Sequence, residues 1–339
     1  MITTYKWNSL ELKAIWKKLY KNNPYIFPYS SYEYNEQIIK YMKVKPSTIS
    51  QKNYFVVYEE EGKPIVMFPL YAKKNILHLL GQNISGAGHL DALYDTEVTP
   101  DQWKGALSEL QSTFPGKKLQ LTMVNERSKL CQFLRGGNEE QILHSVKSDV
   151  DRVCVKIPFP DTYEAYEQGL SRNARSNLHK AYSKIRRNQM DMSLQVIHGP
   201  FTDKDLLSKV MKIYTKRESE RKHRSMNFFP YLKHRYFSAL VWAMEALDSH
   251  YTFCLFLNHK PAAFMTGFET NYHEIVFPYV AIDSTFGSYA PGKLMIAESI
   301  KWLQEHTQIR GLDLSRGDER YKLEMGGIRH YNYRFEIHF

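Results

Sequence analysis

The segment GLDLSRGDERYK, at positions 311–322, places several charged side chains directly after a short strand-like run. Leu312 and Leu314 alternate with polar residues, which indicates a half-buried β-strand that ends at a glycine turn. The charged residues of the turn are Arg316, Asp318, Glu319, Arg320 and Lys322. Carboxylates in such a position can take part in proton transfer and cations can bind an anionic ligand. The structural alternative is a set of ion pairs that only holds the turn.

A second segment, SYAPGKLMIAESI, predicts an amphipathic helix with proline and glycine at its start. The first N–H groups of a helix have no intrahelical partner, and proline is favoured at the first helical position. Lys293 adds a positive charge in the first turn. Free N–H groups at a helix start bind phosphate well. An ordinary loop-to-helix junction has the same free donors, so this segment alone leaves both interpretations open.

Strand-like and helix-like segments alternate along the chain, which predicts a mixed α/β fold. Two hairpins, at 54–71 and 251–269, both carry Lys-Pro after a polar turn, and this likeness indicates two copies of a similar unit. We place the boundary near residue 150 and predict two domains, 1–150 and 151–339. Helices are predicted over 101–113, 162–187, 203–221 and 231–247, and a glycine-rich loop over 83–95.

The two chemical segments are expected to share one crevice. The strand EIVFPYVAID precedes the helix that starts at Pro291, and the strand of the opening segment follows it. Consecutive strands in an α/β fold usually lie beside each other, and loops at the ends of neighbouring strands form ligand crevices. The start of the helix and the charged turn should therefore lie close together.

Composition sets the limits of the function. Forty-six Lys and Arg against 36 Asp and Glu give a formal charge of +10, which favours a polyanionic partner: nucleic acid, an anionic membrane surface or a phosphate-bearing cofactor. No apolar run is long enough to span a bilayer, and we expect a cytoplasmic protein. Three cysteines match no zinc or CxxC spacing, so no metal site is expected.

Three segments together resemble the GNAT-related acetyltransferases of the CelD type, which are relatives of the Fem peptidyltransferases. They are LSRNARSNLHKA (170–181), SYAPGKLMIAESI and LDLSRGDERYK. After Tyr-Lys the family tends to continue with aromatic and Trp-Gly residues, whereas this chain has LEMGG. The matching positions are Ser171 to Arg175 in the first segment, Ser288, Pro291, Gly292, Lys293 and Leu294 in the second, and Asp313, Arg316, Gly317, Asp318, Glu319, Tyr321 and Lys322 in the third.

The resemblance implies tandem GNAT-like domains, each with a mixed central sheet flanked by helices. It also implies an N-acyltransferase that moves an acyl group, acetyl in the simplest case, from acyl-CoA to an amine, often on an amino sugar or cell-surface precursor. Acetyl-CoA or another acyl-CoA would be the co-substrate, held by Ser288, Pro291, Gly292, Lys293 and Leu294. Amine attack on a thioester needs a base and an acid. The candidate bases are Glu269 and Asp313, acting through water, and the candidate acids are Tyr289 and Tyr321.

Substrate-binding candidates come from three places. His89 and Asp91 lie in the glycine-rich loop, and Arg172 and Arg175 share one face of a predicted helix. Arg316, Asp318 and Lys322 belong to the charged turn. Each has a structural alternative, because loop histidines, solvated helix faces and ion-paired turns are common.

Two other functions stay open. An aminoacyl-tRNA-dependent transferase of the Fem kind would use the +10 charge to bind RNA, although the long helical arm usual in that family does not appear in this sequence. A non-catalytic binding module could keep the same fold. Apart from tRNA under the first alternative, no nucleic-acid partner is expected, and the sequence does not choose between a monomer and a homodimer.

Overall fold

The computed structural model describes residues 1–44, 51–82, 88–136, 146–222 and 239–339. The chain forms two compact units, residues 1–153 with 330–339 and residues 154–329. The predicted boundary near residue 150 lies three residues before the end of the first segment. The last ten residues, predicted to belong to the second domain, instead join the first unit. They do so because the strand Ile328–His338 pairs antiparallel with the strand Lys118–Asn125.

The first unit is a mixed sheet with helices. Its strands run in the order β1-β2-β3-β4-β6-β13, with β5 paired to β3. The β4–β6 pair is parallel, whereas the β2–β3 pair is an antiparallel hairpin as predicted. The strands are β1 (Ile2–Tyr5), β2 (Lys52–Glu60), β3 (Lys63–Lys73), β4 (Ile76–Leu79), β5 (Leu93–Tyr94), β6 (Lys118–Asn125) and β13 (Ile328–His338), and the helices are α1 (Leu10–Tyr20), α2 (Tyr32–Val44), α3 (Pro100–Thr113) and α4 (Lys129–Arg135).

The second unit has strand order β7-β12-β11-β10-β9-β8. Helices α6 and α9 pack on one face of this sheet, where Leu178 and Ile300 meet Phe253 and Phe277 in the core. The strands are β7 (Val146–Pro158, of which 154–158 belong to this unit), β8 (Met192–His198), β9 (His250–Leu257), β10 (Lys260–Glu269), β11 (Glu274–Ile282) and β12 (Gly311–Arg316). The helices are α5 (Tyr163–Gly169), α6 (Arg172–Arg187), α7 (Lys204–Lys222), α8 (Ala239–Met244), α9 (Pro291–His306) and α10 (Arg320–Glu324).

Local sequence explains most of these boundaries. Thr99 and Gln102 form a capping box at the start of α3, with Pro100 in the first turn. The helix predicted over 162–187 is in fact two helices, because Leu170 is extended and Ser171 caps a new helix through its hydroxyl. The β9–β10 hairpin is confirmed.

Parts of two predictions lie outside the described residues. Of the predicted helix over 231–247, positions 231–238 are not described, and α8 covers Ala239–Met244. Of the predicted glycine-rich loop, positions 83–87 are not described. Across the described ranges, none of the helices has the length and apolar character that crossing a membrane requires.

The second sheet opens between β11 and β12. These parallel strands share only three paired positions, the last of which joins Val276 to Asp313. Beyond this point β12 shifts its register against β7, and β11 continues to Ile282 with no partner on that side among the described residues. One extra residue of β11 forms a bulge opposite Thr266–Phe268. A gap between β11 and β12 results.

Gly267 allows the close approach of strands at this bulge. A Cβ atom at this position would lie 1.9 Å from the carbonyl oxygen of Val276, far inside van der Waals contact. The position therefore requires glycine for packing, and it fixes the part of β11 from which the gap opens.

Candidate functional site

A cavity of about 260 Å³ lies in the second unit, where β11 ends and α9 begins. The end of β11 contributes Val280–Ile282, and the turn into α9 contributes Gly287 and Ala290–Lys293. Arg217 of α7 and Tyr321 of α10 complete the lining. The cavity thus joins the helix start and the segment after β12, the two regions that the sequence predicted to lie together.

The first turn of α9 leaves one N–H group for a ligand. Ala290 precedes the helix in the left-handed region, with φ 51°, and its side chain provides no cap. The N–H groups of Lys293 and Leu294 both donate to the carbonyl of Ala290, at 3.0 and 3.2 Å. Pro291 has no N–H group. Among the described residues, the N–H of Gly292 has no hydrogen-bond acceptor, so this group is the available donor of the turn.

Lys293 shares its charge with a carboxylate. Its ammonium lies 2.6 Å from Oε2 of Glu324, whose Oε1 lies 2.7 Å from Nε of Arg320. The hydrogen bond from Lys293 holds the pKa of Glu324 below its usual range. Glu324 belongs to the LEMGG stretch, where the chain departs from the family pattern. The lysine that the sequence assigned to a phosphate is therefore partly neutralised.

Arg217 is a cation of the cavity that sequence reasoning missed. One of its guanidinium N–H groups donates to the carbonyl of Val280. Its neighbour Lys216 lies 2.7 Å from Asp283, and the hydroxyl of Ser284 donates to Glu220 at 3.1 Å. These contacts hold α7 against the end of β11. Nothing in the mixed charges of this helix identifies Arg217, because its role depends on tertiary packing.

The two candidate acids occupy different places. Tyr321 lines the cavity, and burial raises the pKa of its phenol to about 12. Tyr289 lies on the other side of the turn, where its hydroxyl accepts a hydrogen bond from Asn188 at 2.9 Å and Lys184 lies over its ring. Of the two, Tyr321 has access to a ligand in the cavity.

The two candidate bases are also separated. Asp313 is buried at the last paired position of β11 and β12, where its carboxylate accepts the N–H of Ser315 at 2.7 Å. Glu269 pairs with Ile275, at the end of β11 far from the cavity, and contacts His273 at 3.3 Å. At the rise of a β-strand, Ile275 and Ala281 lie roughly 20 Å apart. Asp313 therefore lies nearer to the opening between the strands than Glu269 does, but it is 1% exposed and does not line the cavity.

Lys322 forms its hydrogen bonds and its ion pair within the charged turn and the end of β12. Its buried ammonium donates to the carbonyls of Leu314, Arg316 and Gly317, each at 2.9 Å, and lies 3.0 Å from Glu319. Three carbonyls and one carboxylate satisfy every donor of a lysine. This arrangement supports the structural alternative for Lys322.

The other charges of the turn are on the surface. Asp318 pairs with Arg329 at 2.9 Å, and both side chains are about half exposed. Arg316 is exposed. These two predicted substrate-binding residues can therefore meet a ligand without rearrangement, although neither lines the cavity.

Arg172 and Arg175 begin α6 and do not reach the cavity wall. Arg172 is exposed, and His179 on the same side of the helix pairs with Glu167 at 2.8 Å. The end of α6 contacts the cavity wall through Lys184, which donates to the carbonyl of Ser288 at 3.1 Å, and through its C-cap Asn188. Arg175 and Lys184 are about two and a half helical turns apart, which places them on opposite sides.

His89 and Asp91 lie buried in the first unit. Nδ1 of His89 is 2.8 Å from the side-chain oxygen of Asn332, which also accepts from Asn125 at 3.0 Å. Asp91 accepts the hydroxyl of Tyr94 at 3.1 Å. With exposed fractions of 1% and 4%, His89 and Asp91 are closed to a substrate in this conformation.

Because Asp91 is buried, we expect the free energy of unfolding to decrease as pH rises. Burial raises the pKa of its carboxyl to about 7, above the unfolded value of about 3.9. The folded state thus holds a proton that the unfolded state has lost, so stability decreases as pH rises from about 4 to about 7. Asp91→Asn, which keeps a neutral side chain, should raise the unfolding midpoint at pH 8 by about 5 °C, and by less near pH 4.5.

Thermal unfolding at several pH values tests this. The exposed Glu97→Gln serves as the matched control and should leave the midpoint unchanged. An Asp91→Asn effect that is equal at both pH values would show that the carboxyl does not titrate in this range.

Comparisons with known proteins agree with the geometry. Residues 172–323 match the family model described as an acetyltransferase (GNAT) domain. No curated protein matches the chain. Among solved structures, FemX is 11% identical with a TM-score of 0.61 and covers 99% of this chain and 97% of its own. A tandem GNAT protein from the clavulanic acid biosynthesis pathway is 9% identical with a TM-score of 0.54, covering 99% and 98%. L-PGS from Bacillus licheniformis is 11% identical with a TM-score of 0.55, covering 96% and 90%.

The low identities of these structures show a shared fold and nothing more. The family model covers the helix α6, the opening between β11 and β12, the cavity and the charged turn. The chain therefore has the fold of these tandem GNAT structures, and its residues 172–323 are similar to the GNAT-type acetyltransferase domain.

Proposed function

We propose that the protein is an N-acyltransferase that moves an acyl group, acetyl in the simplest case, from acyl-CoA to an amine. The observation that carries this proposal is the cavity at the start of α9, beside the opening between β11 and β12. The N–H of Gly292 and the cations Arg217 and Lys293 provide for a diphosphate at one end. After Val276, one edge of β11 has no strand partner among the described residues, and its backbone groups other than the carbonyl of Val280 are offered to the amides of the pantetheine arm.

The reaction needs proton transfers at both the amine and the thiolate. The amine attacks the thioester carbonyl, a C–N bond forms and the C–S bond breaks. Before attack, Asp313, acting through water, takes the proton that the ammonium must lose. After attack, Tyr321 gives its proton to the departing thiolate, and the second proton that the nitrogen loses returns to the phenol. Burial raises the pKa of Tyr321 to about 12, and the nearby charge of Arg217 opposes this effect only in part, so the phenol holds the proton that it must give.

The acceptor class is the one that the family resemblance implies. We keep the amine of an amino sugar or cell-surface precursor as the acceptor class, with Arg316 and Asp318 as exposed residues that can contact it. We also propose that the reaction takes place in the cytoplasm. Glu269 is a weaker candidate for the base than Asp313, because it lies at the far end of β11.

Native mass spectrometry tests the donor. The full chain, incubated with acetyl-CoA, is expected to gain the mass of one donor molecule, and CoA is expected to be carried through purification without addition. No adduct at millimolar acetyl-CoA would leave a non-catalytic module with the same fold as the better account.

The likeness to FemX favours one second candidate, transfer of an aminoacyl group from tRNA. The charge of +10 would then bind the RNA backbone. Titration of tRNA and of acetyl-CoA in the same buffer, at low and high salt, separates the two. Tight, salt-sensitive tRNA binding without acetyl-CoA binding would replace our first candidate with the second.

Glu324→Gln is expected to strengthen donor binding. The change removes the carboxylate that neutralises Lys293, so the ammonium becomes available to the diphosphate. We expect about two- to fivefold tighter binding of acetyl-CoA at low salt and a smaller gain at high salt, because the contact is partly solvated.

Isothermal titration measures this gain. Glu305→Gln removes an exposed carboxylate near the other end of α9 and should leave the affinity unchanged. Weaker binding in Glu324→Gln would mean that the carboxylate is needed to position Lys293 and does not compete with the ligand.

A further inference from the structure

The last turns of α6 lie against the outer side of the cavity wall. Lys184 donates to the carbonyl of Ser288 at 3.1 Å, and its ammonium lies 4.9 Å from the centre of the Tyr289 ring. Asn188 donates to the hydroxyl of Tyr289 at 2.9 Å. Ser288 and Tyr289 stand in the chain between Gly287 and Ala290, both of which line the cavity. A ligand that leaves the cavity at this turn therefore meets the end of α6.

Charge on α6 is entirely positive. The helix has no acidic residue. Its six basic residues are Arg172, Arg175, Lys180, Lys184, Arg186 and Arg187. Lys180, Lys184 and Arg187 have the spacing i, i+4, i+7 and so form one stripe, on the side of the helix that contacts Ser288. Within the ranges that the structure describes, none of these three forms an ion pair.

The electrostatic repulsion within this stripe has no explanation in the fold. Like charges one helical turn apart repel each other. Cations in the last turn of a helix do interact favourably with its dipole, yet Lys184 directs its ammonium to Ser288 and away from its own helix. Lysine has three N–H donors, and this contact uses one of them. An anion placed beside the turn would bind the remaining donors and relieve the repulsion.

We propose that the stripe of Lys180, Lys184 and Arg187 binds a phosphomonoester on the nucleotide end of the donor, which in CoA is the 3′-phosphate. This inference rests on the proposed function, because it takes the diphosphate to lie at Gly292. The turn 287–290 separates the cavity from Lys184, so a nucleotide attached to that diphosphate would reach the stripe if it crossed this turn. The stripe also differs from the residues that the sequence singled out on this helix, since Arg175 faces the opposite side.

Acetyl-CoA and acetyl-dephospho-CoA, which lacks the 3′-phosphate, are the matched pair of ligands for the test. The wild-type chain should bind acetyl-CoA about tenfold more tightly, the size expected for charge-assisted contacts at a partly solvated site. The double variant Lys180→Ala/Arg187→Ala should reduce this preference to about twofold while its affinity for the dephospho ligand stays within about twofold of the wild type. High salt should reduce the wild-type preference as well.

Arg186→Ala is the control, because it removes an exposed cation of the same turn from another side of the helix. It should keep the full preference. Lys184→Ala is a second variant. It should weaken the binding of both ligands and also reduce the preference for acetyl-CoA, since Lys184 also holds Ser288.

The failures are distinguishable. If the wild type binds neither ligand, the proposed function itself fails. If the wild type binds both equally, or if the preference survives in the double variant, the phosphomonoester site is wrong while acyl-CoA binding stands.

Discussion

Tyr321→Phe should lower kcat for acetyl transfer by about 10²- to 10³-fold, the usual contribution of a positioned general acid. The phenyl ring still fills the cavity wall, so donor affinity should change by less than about threefold. Burial raises the pKa of Tyr321 to about 12. The phenol therefore keeps its proton, and its titration should cause no loss of wild-type activity between about pH 8 and pH 10. Thiol release with a panel of amino sugars as acceptors measures all three.

Tyr289→Phe separates the two candidate acids. The hydroxyl of Tyr289 meets Asn188 outside the cavity, so its loss should change kcat far less than the loss of the Tyr321 hydroxyl. A large fall in kcat for Tyr289→Phe together with near-normal Tyr321→Phe activity would reverse the assignment.

Lys322→Met should destabilise the protein by about 3–5 kcal/mol, because it leaves three carbonyls and Glu319 without their donor in a buried position. Methionine has similar length, so the loss reflects the charge and its hydrogen bonds more than packing. Denaturant unfolding followed by circular dichroism measures the change.

The exposed Lys301→Met is the matched control and should stay within about 0.5 kcal/mol of the wild type. A Lys322→Met protein of normal stability that no longer binds its acceptor would instead assign Lys322 to the substrate, as the sequence pattern first indicated.

Sequence alone predicted the parts of the site that depend on local pattern. Alternation in GLDLS indicates β12, and proline and glycine in SYAPGK indicate the start of α9. The rule that sequential strands lie side by side predicted that the two segments would meet, and one cavity contains Pro291 and Tyr321. The family resemblance predicted that these segments belong to a tandem GNAT fold.

Charge pattern did not predict which charges are available. Lys293 and Lys322 are both basic residues beside a glycine or an aromatic residue, yet one pairs with Glu324 and the other turns back onto its own loop. Which way a lysine points depends on the packing around it, and that information is not local. The same holds for Arg217, which reaches the cavity from a helix 60 or more residues before β11 ends.

The sequence also did not predict the pairing of strands that are far apart in the chain. The last strand joins the first unit because it pairs with β6, about 200 residues earlier in the chain. The gap between β11 and β12 depends on a bulge opposite Gly267 and on a register shift in β12. A glycine inside a strand signals close approach of another backbone, but only the structure shows that the neighbour is Val276 and that an opening follows.

The central claim is that the free amide of Gly292 binds the diphosphate of an acyl-CoA. Isothermal titration of acetyl-CoA into Gly292→Ala and Gly292→Pro tests it most directly, because both variants add a Cβ atom and only proline removes the N–H group. We expect Gly292→Ala to bind within about threefold of the wild type and Gly292→Pro to bind about tenfold or more weakly, with helix content unchanged by circular dichroism. Equal affinity in the two variants, or no binding by the wild type, would contradict the account.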